Sequence, residues 1–281
     1  MTIDAHHHLW DPQVREYRWL AGDVLAPIRR PYRVEDLRAR TAESGVDGTV
    51  LVQTISDVGE TVDFLGMADA NRDLILGVVG WLDLTAPDVA STLAALREGP
   101  GGDRLVGIRH LVQDEEDPAW LARPDVLRGL AAVADAGLVY DLLVFPHQLE
   151  SAIAAVTEVP QGRYVLDHAA KPPIATGERE PWAGRLRELA ANANVACKLS
   201  GLVTEANWTQ WTVEDIRPYA EIVFDAFGPA RVLFGTDWPV CELAAGYAGV
   251  TDLARDLCAG LSEADQAAVF GGNARTWYRL G

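Results

Sequence analysis

The 281-residue sequence predicts a single (β/α)8 TIM barrel of the α/β class, and three observations lead there. Eight short apolar runs, most of them rich in β-branched residues, alternate with segments of helical period. Between successive runs lies enough chain for a helix, the connection that parallel strands require. The length suits one domain over residues 1–281, since such barrels commonly run to about 250 residues. The same alternation would also permit a doubly wound open sheet, but eight is the strand number that closes.

The first run, Thr2 to His8, alternates with period two. Read as a regular strand, it puts Asp4, His6 and His8 on one face and Ile3, Ala5, His7 and Leu9 on the other. Two imidazoles at i and i+2 near a strand end can converge on one ion or one substrate oxygen. A purification tag would be longer and would not lie inside an apolar alternation that starts at residue 2. Asp11 to Tyr32 follows with Tyr17, Trp19 and three prolines but no period, which marks a functional loop or lid.

A helix is expected from Val34 to Glu43, stopped by Gly45. The further strands are expected at Thr49 to Gln53, Ile75 to Leu82, Leu105 to His110, Leu138 to Phe145, Arg163 to His168, Val195 to Leu199 and Arg231 to Gly235. Helical spacing lies between them, as in Val126, Leu127, Leu130 and Val133 or Ile216, Tyr219, Ile222 and Val223. Pro87 and Pro124 suit first-turn positions, Thr212 with Asp215 resembles a capping box, and Ser262 is a cap for the last helical stretch. Gly137 and Gly228 fall where helices should stop, and Leu243 to Gly281 holds the closing helices.

Composition excludes several classes of function. A net charge of −17 and a pI near 4.7 argue against nucleic acid as a partner, because phosphate binding needs a basic patch. No apolar run approaches the roughly 18 residues that span a bilayer, so no membrane partner is expected. The three cysteines, Cys197, Cys241 and Cys258, cannot all pair and lack C-x-x-C spacing. A soluble protein of the reducing cytoplasm is the expectation, and a homo-oligomer is compatible with it.

In a barrel the active site lies at the C-terminal strand ends, so the residue on which each run ends is informative. His6 and His8 end the first run, Gln53 the second, Trp81 and Asp83 the third, Arg109 and His110 the fourth. Asp167, His168 and Lys171 follow on the sixth, Lys198 and Ser200 on the seventh, and Asp237 on the eighth. Only the fifth run lacks an obvious candidate. Strand eight closes beside strand one, so His6, His8, His168 and Asp237 can meet around one point.

These segments also carry a resemblance. Asp4-Ala-His-His-His-Leu-Trp10, Gly107-Ile-Arg-His110, Val165-Leu-Asp-His-Ala-Ala-Lys-Pro172, Lys198-Leu-Ser-Gly201 and Phe234-Gly-Thr-Asp-Trp-Pro239 resemble the amidohydrolase superfamily, of the amidohydrolase-related type. The likeness is closer to its sugar-lactone hydrolases, such as L-fuconolactone and L-rhamnonolactone hydrolases, a branch related to 2-pyrone-4,6-dicarboxylate lactonase. It runs from residue 3 to Gly272-Asn-Ala274. The resemblance implies a metal-dependent-hydrolase-like barrel in which His6, His8 and His168 act with Asp237 as general base. A dinuclear member would carry a carboxylated lysine or a glutamate on strand four or five and a histidine on strand five. Here Arg109 and His110 stand on strand four and Phe145 ends strand five, so two metals are not expected. The resemblance leaves open one divalent ion, zinc by preference, held by His6, His8, His168 and Asp237, or none.

The expected chemistry is hydrolysis of a small lactone, with an aldonolactone first in line. Asp237 takes a proton from water while the histidines, or an ion they hold, polarise the ester carbonyl. Arg109 and Lys171 offer positive charge to a substrate or product oxygen. Trp19, Trp81, Trp238 and Gln53 complete the candidate substrate-binding set. A metal-dependent decarboxylase of the same superfamily, acting on an unsaturated or aromatic carboxylate, is the rival reaction, and a barrel that only binds a sugar or an acid is a third reading.

Overall fold

The computed structural model describes residues 1–281 and arranges eight parallel strands in sequence order. The strands are β1 (Ile3–His7), β2 (Gly48–Val52), β3 (Ile75–Gly80), β4 (Leu105–His110), β5 (Val139–Leu142), β6 (Arg163–Leu166), β7 (Val195–Leu199) and β8 (Val232–Phe234). Closure comes just beyond β8, where His8 N donates to Trp238 O at 2.7 Å and Asp237 N donates to His6 O at 2.8 Å. The barrel expected from the sequence is the one observed.

Helices α1 (Val34–Ser44), α2 (Val58–Ala70), α3 (Val89–Glu98), α4 (Pro124–Asp135), α5 (Leu149–Glu158), α6 (Trp182–Ala190), α7 (Val213–Phe227) and α8 (Tyr247–Cys258) wrap the sheet. Two short helices, α9 (Glu263–Ala267) and α10 (Asn273–Tyr278), follow. The start and stop signals act as the sequence suggests. Pro124 opens α4, Thr212 and Asp215 form a capping box on α7, the Ser262 side chain accepts from Asp265 N, and Gly45 adopts the left-handed C-cap of α1. Pro87 differs, lying before the Asp88 cap of α3 rather than inside its first turn.

Inside the barrel, Ile3, Ala5, Val50, Val52, Val79, Val139, Val165, Ala196 and Leu233 form an apolar layer, packed from below by Ala274, Tyr278 and Leu280. Two residues further along the inward-facing sides of β4 to β7 come Arg109, Asp141, Asp167 and Lys198, all buried. The period of two therefore switches from apolar to charged at one level of the barrel.

The regular alternation read for β1 does not hold. Asp4 pairs with Thr49 and His7 with Leu51, so Ala5 and His6 together oppose one residue of β2. That bulge turns Asp4 outward, where Tyr247 of α8 donates to it at 3.0 Å, while Ala5 and His6 both face inward. Several strands are also shorter than expected, β3 ending at Gly80, β5 at Leu142, β6 at Leu166 and β8 at Phe234.

The segment from Asp11 to Tyr32 folds as two 3-10 turns, Arg18–Leu20 and Asp23–Ile28, and is tied down at several points. Trp10 and Tyr32 exchange backbone hydrogen bonds, Trp10 Nε1 donates to Ile28 O at 3.2 Å, and Arg15 pairs with Asp57 and Asp63 of the α2 edge. Tyr32 donates to Glu242 at 2.6 Å. It forms a fixed wall beside the C-terminal barrel mouth. No helix is long and apolar enough to cross a membrane.

Candidate active site

The four groups expected to meet do meet. His6 Nε2 lies 3.2 Å from His8 Nε2, and Asp237 Oδ1 lies 3.4 Å from His8 Nε2, 3.7 Å from His6 Nε2 and 3.9 Å from His168 Nε2. All four residues are buried.

What aims the rings is the set of contacts on their far nitrogens. His8 Nδ1 is 2.8 Å from Val52 O, which only accepts, so that nitrogen carries the proton and a lone pair on Nε2 faces Asp237. His168 Nδ1 meets Ser200 Oγ at 2.9 Å. His6 Nδ1 lies 3.0 Å from Lys198 Nζ and 3.3 Å from Asp167 Oδ1. When His6 donates to Asp167 its Nε2 is free, and when it accepts from Lys198 its Nε2 proton points to His8. With Nδ1 protonated on His6 and His168 as it is on His8, three ring nitrogens and a carboxylate oxygen face one another as acceptors, an arrangement whose natural guest is a donor, either a cation or a water.

The loops that carry these residues are conformationally unusual. His168, Ala169, Ala170 and Lys171 all have φ between 49° and 58°, one left-handed turn built from L-residues. Each such residue costs about 1–2 kcal/mol, so the surrounding packing must hold the turn in place. Trp182 does part of this by donating to Ala169 O at 2.7 Å. Gly201 makes room, since a Cβ there would sit 2.5 Å from His168 Nδ1. Asp237 is itself at φ 58°. Its loop is fixed by Asp4, whose carboxylate accepts from Thr236 N at 2.9 Å and Thr236 Oγ1 at 2.6 Å.

Beneath the rings lies a buried charge network. Lys198 Nζ is 2.6 Å from Asp141 and 2.9 Å from Asp167, and Arg109 Nη1 is 3.0 Å from Asp167. Tyr278 rises from the barrel bottom to donate to Asp141 at 2.8 Å. Burial pushes Asp141 up to about 6 despite Lys198. Burial acts on Asp167 in the same sense, but Lys198, His6 and Arg109 outweigh it and hold Asp167 well below the usual range. Burial depresses all three site imidazoles, His168 to about 4. Asp237 is held below its ordinary value because His168, His8 and Lys171 outweigh burial. Near neutral pH the site therefore holds neutral rings and an ionised carboxylate.

Above them opens a cleft of about 130 Å³ lined by His8, Trp19, Arg109, His168, Lys171 and Asp237 together with Gln113 and others. Arg109 and Lys171 are where the sequence put them. Three other expected substrate contacts are not. Gln53 is fully buried and its amide donates to Arg109 O at 3.3 Å, so it orients Arg109 instead. Trp81 donates to His110 Nδ1 at 2.9 Å, and His110, stacked on Trp120, meets Glu115 at 2.7 Å. Trp238 is buried between Tyr32 and Tyr247 and donates to Glu242 at 2.9 Å. None of the three lines the cleft.

Neither Lys198 nor Asp141 is in the catalytic or substrate-binding set expected from the sequence, although two-residue spacing from inward-facing Val139 points Asp141 into the barrel. Gln113, after β4, carried no signal at all.

The donor set also fits one metal ion. Bonds of about 2.0–2.1 Å to a tetrahedral zinc imply ligand separations of about 3.3 Å, which the 3.2, 3.4 and 3.7 Å among His6, His8 and Asp237 approach, whereas His168, 3.9 Å from Asp237, lies outside that close trio and becomes a fourth ligand only with a shift of its ring. Each imidazole has an outer partner on Nδ1, as metal-bound histidines require: Asp167, Val52 O and Ser200.

Comparison with known proteins agrees with this geometry. A family model described as Amidohydrolase matches residues 3–280. An L-fucono-1,5-lactonase from Burkholderia ambifaria is 38% identical over 282 residues, covering 99% of this chain and 95% of that protein. The crystal structure of an amidohydrolase from Burkholderia multivorans with bound zinc is 37% identical, covers 100% of both chains and superposes with a TM-score of 0.93. A 2,6-dihydroxybenzoate decarboxylase from Rhizobium, at 16% identity, a TM-score of 0.68 and 99% and 98% coverage, shares the fold alone. Barrel, strand-end histidines and whole-chain similarity agree: the chain belongs to the amidohydrolase family.

Proposed function

We propose that this protein is a hydrolase that opens a small sugar-type lactone by attack of water on the ring ester. The observation that carries this reading is the convergence of three imidazole nitrogens with the ionised Asp237 on one point beside a small cleft. Whole-chain similarity to L-fucono-1,5-lactonases at 38% identity supports the ester as the bond attacked and a sugar lactone as its class. The decarboxylases share only the fold, and no feature of the cleft favours their reaction over ring opening.

In the proposed reaction Asp237 accepts a proton from the attacking water as the new C–O bond forms at the carbonyl carbon. His8 orients that water by accepting its second proton at the Nε2 lone pair, with His168 beside it. The carbonyl oxygen gains negative charge, and Arg109, whose Nε has no protein partner, supplies the nearest fixed positive charge. When the ring C–O bond breaks, the alkoxide takes the proton back from Asp237 and the product is an open-chain hydroxy acid. Lys171, which is in the cleft and has no carboxylate partner within 4 Å, faces the product carboxylate.

His6, His8, His168 and Asp237 would hold one divalent ion, zinc by donor type. Such an ion would supply Lewis acidity at the carbonyl and lower the pKa of water towards about 7.

Asp237→Asn tests the reading. With a pH indicator and a panel of 1,4- and 1,5-aldonolactones, the wild type acidifies the medium on at least one member and the variant loses at least 1000-fold in kcat. A variant that is folded by circular dichroism and turns over near the wild-type rate would remove Asp237 as the base. A wild type inert on every lactone would remove the function.

A further inference from the structure

Besides Arg109 Nε, two polar atoms of residues that line the cleft are buried and have no hydrogen-bond partner: Trp19 Nε1 and Gln113 Oε1. Such atoms are rare in folded proteins, because an unpaired buried donor or acceptor costs about 1–3 kcal/mol. They belong to different walls. Trp19 comes from the fixed segment after β1, and Gln113 from the turn Val112–Asp114 that follows β4. Neither is used by the proposed proton transfers, which involve Asp237, His8 and His168 below them.

The surroundings hold both residues in place. Trp10 packs edge-on against Trp19 with centroids 5.1 Å apart, which fixes the indole. Gln148 Nε2 donates to Val112 O at 2.7 Å, which anchors the turn carrying Gln113. An indole donor packed in place on one wall and a side-chain amide on an anchored turn of another are suited to reading substrate hydroxyl groups. A hydroxyl oxygen accepts from the indole N–H, and a hydroxyl proton is donated to the amide oxygen. A ring bearing only carbonyl and methylene groups satisfies neither atom together with the ester contact, and a carboxylate cannot donate to Gln113.

From this geometry we infer that Trp19 and Gln113 are the specificity-determining residues of the cleft, selecting polyhydroxylated lactones through hydrogen bonds to ring hydroxyls on two sides of the ring. The inference rests on the lactonase reading above. It also specifies the part Trp19 plays: its edge donates a hydrogen bond. Selection of this kind works mainly by rejection, since a ring without hydroxyls leaves both atoms buried and unpaired.

The test compares kcat/KM for a trihydroxylated 1,5-aldonolactone with that for unsubstituted δ-valerolactone in the wild type, Trp19→Phe and Gln113→Met. Gln113→Met keeps the side-chain length and Trp19→Phe keeps an aromatic ring, and each removes the polar atom. The wild type is expected to favour the hydroxylated ring by at least 100-fold, and each variant lowers that ratio about tenfold. Trp19→Phe and Gln113→Met together lower it further. A ratio that stays within twofold of the wild type in both single variants, with either parallel losses on the two substrates or none, would overturn the inference and leave the lactonase reading intact. A wild type that hydrolyses neither ring nor any other lactone would overturn both, and that result is seen before any variant is made. Melting curves of the variants separate a loss of selection from a loss of fold.

Discussion

The left-handed turn at residues 168–171 allows a measurement of how much backbone strain the site carries. The perturbation is Ala169→Gly, made beside a control, Ala152→Gly. Both alanines are fully buried, but Ala152 lies in the regular helix α5 and Ala169 at φ 49°. In the control, losing the methyl group costs about 0.8 kcal/mol and glycine's poorer helix propensity about 1 kcal/mol, together about 2 kcal/mol. At Ala169 the methyl costs the same and the freer unfolded chain about 0.5–1 kcal/mol, but releasing an L-residue from the left-handed region returns about 1–2 kcal/mol. The sum is zero to within about 0.8 kcal/mol.

At roughly 3 °C per kcal/mol for a chain of this size, scanning calorimetry should find Ala152→Gly melting about 6 °C below wild type and Ala169→Gly within about 2 °C of it. Activity should move the other way. Glycine lets the turn leave the geometry that holds His168 and Lys171 in the cleft, so kcat/KM falls about tenfold in Ala169→Gly and stays near wild type in Ala152→Gly. Equal destabilisation of the two variants would refute the strain account. It would mean that Ala169 sits in a conformation its neighbours make comfortable.

Other outcomes follow from the same site. Because burial holds His168 near 4, its protonation should begin to remove activity only as pH falls towards 4, and kcat/KM should be flat from about 5.5 to 7; an acid limb centred near 6.5 would show an unperturbed histidine at work. Lys198→Met leaves two buried carboxylates without their shared cation and should cost about 3–5 kcal/mol in denaturant melts, with part of that recovered by adding Asp141→Leu; a cost under 1 kcal/mol would contradict the network. Zinc at about 100 times its Kd should stabilise the wild type by about 2.7 kcal/mol in calorimetry but not the His6→Ala, His8→Ala double variant; an equal shift in both would place the ion elsewhere.

How much of this is legible in the sequence depends on which kind of information each feature needs. His168 and Asp237 are visible because a polar residue just past an apolar run at a strand's C-terminal end is anomalous for a core and expected for a barrel mouth. The bulge in β1 is not visible, because period two is a property of one strand and a bulge is a property of its pairing with β2. Asp4, read as a companion of His6, instead reaches Thr236 and Tyr247 on the outer side. The tryptophans show the same limit. Trp19, Trp81 and Trp238 all follow strand ends, yet Trp81 and Trp238 each spend their N–H on a neighbour 2.9 Å away and only Trp19 keeps its own free in the cleft.

The charge network explains why such a site can sit inside so acidic a protein. Arg109 and Lys198 balance Asp141 and Asp167, so the layer beneath the imidazoles is close to neutral as a unit. With the rings unprotonated, the cleft lining above that layer carries Lys171 against two carboxyl side chains, Asp237 and Asp114. A neutral lactone carries no net charge for these carboxyl groups to repel. The hydroxy acid that forms is an anion beside Asp237 in a chain of net charge −17, opposed by a single lysine. The electrostatics thus favour the uncharged substrate over its charged product, and they do so through the same lysine that the strained turn holds in place.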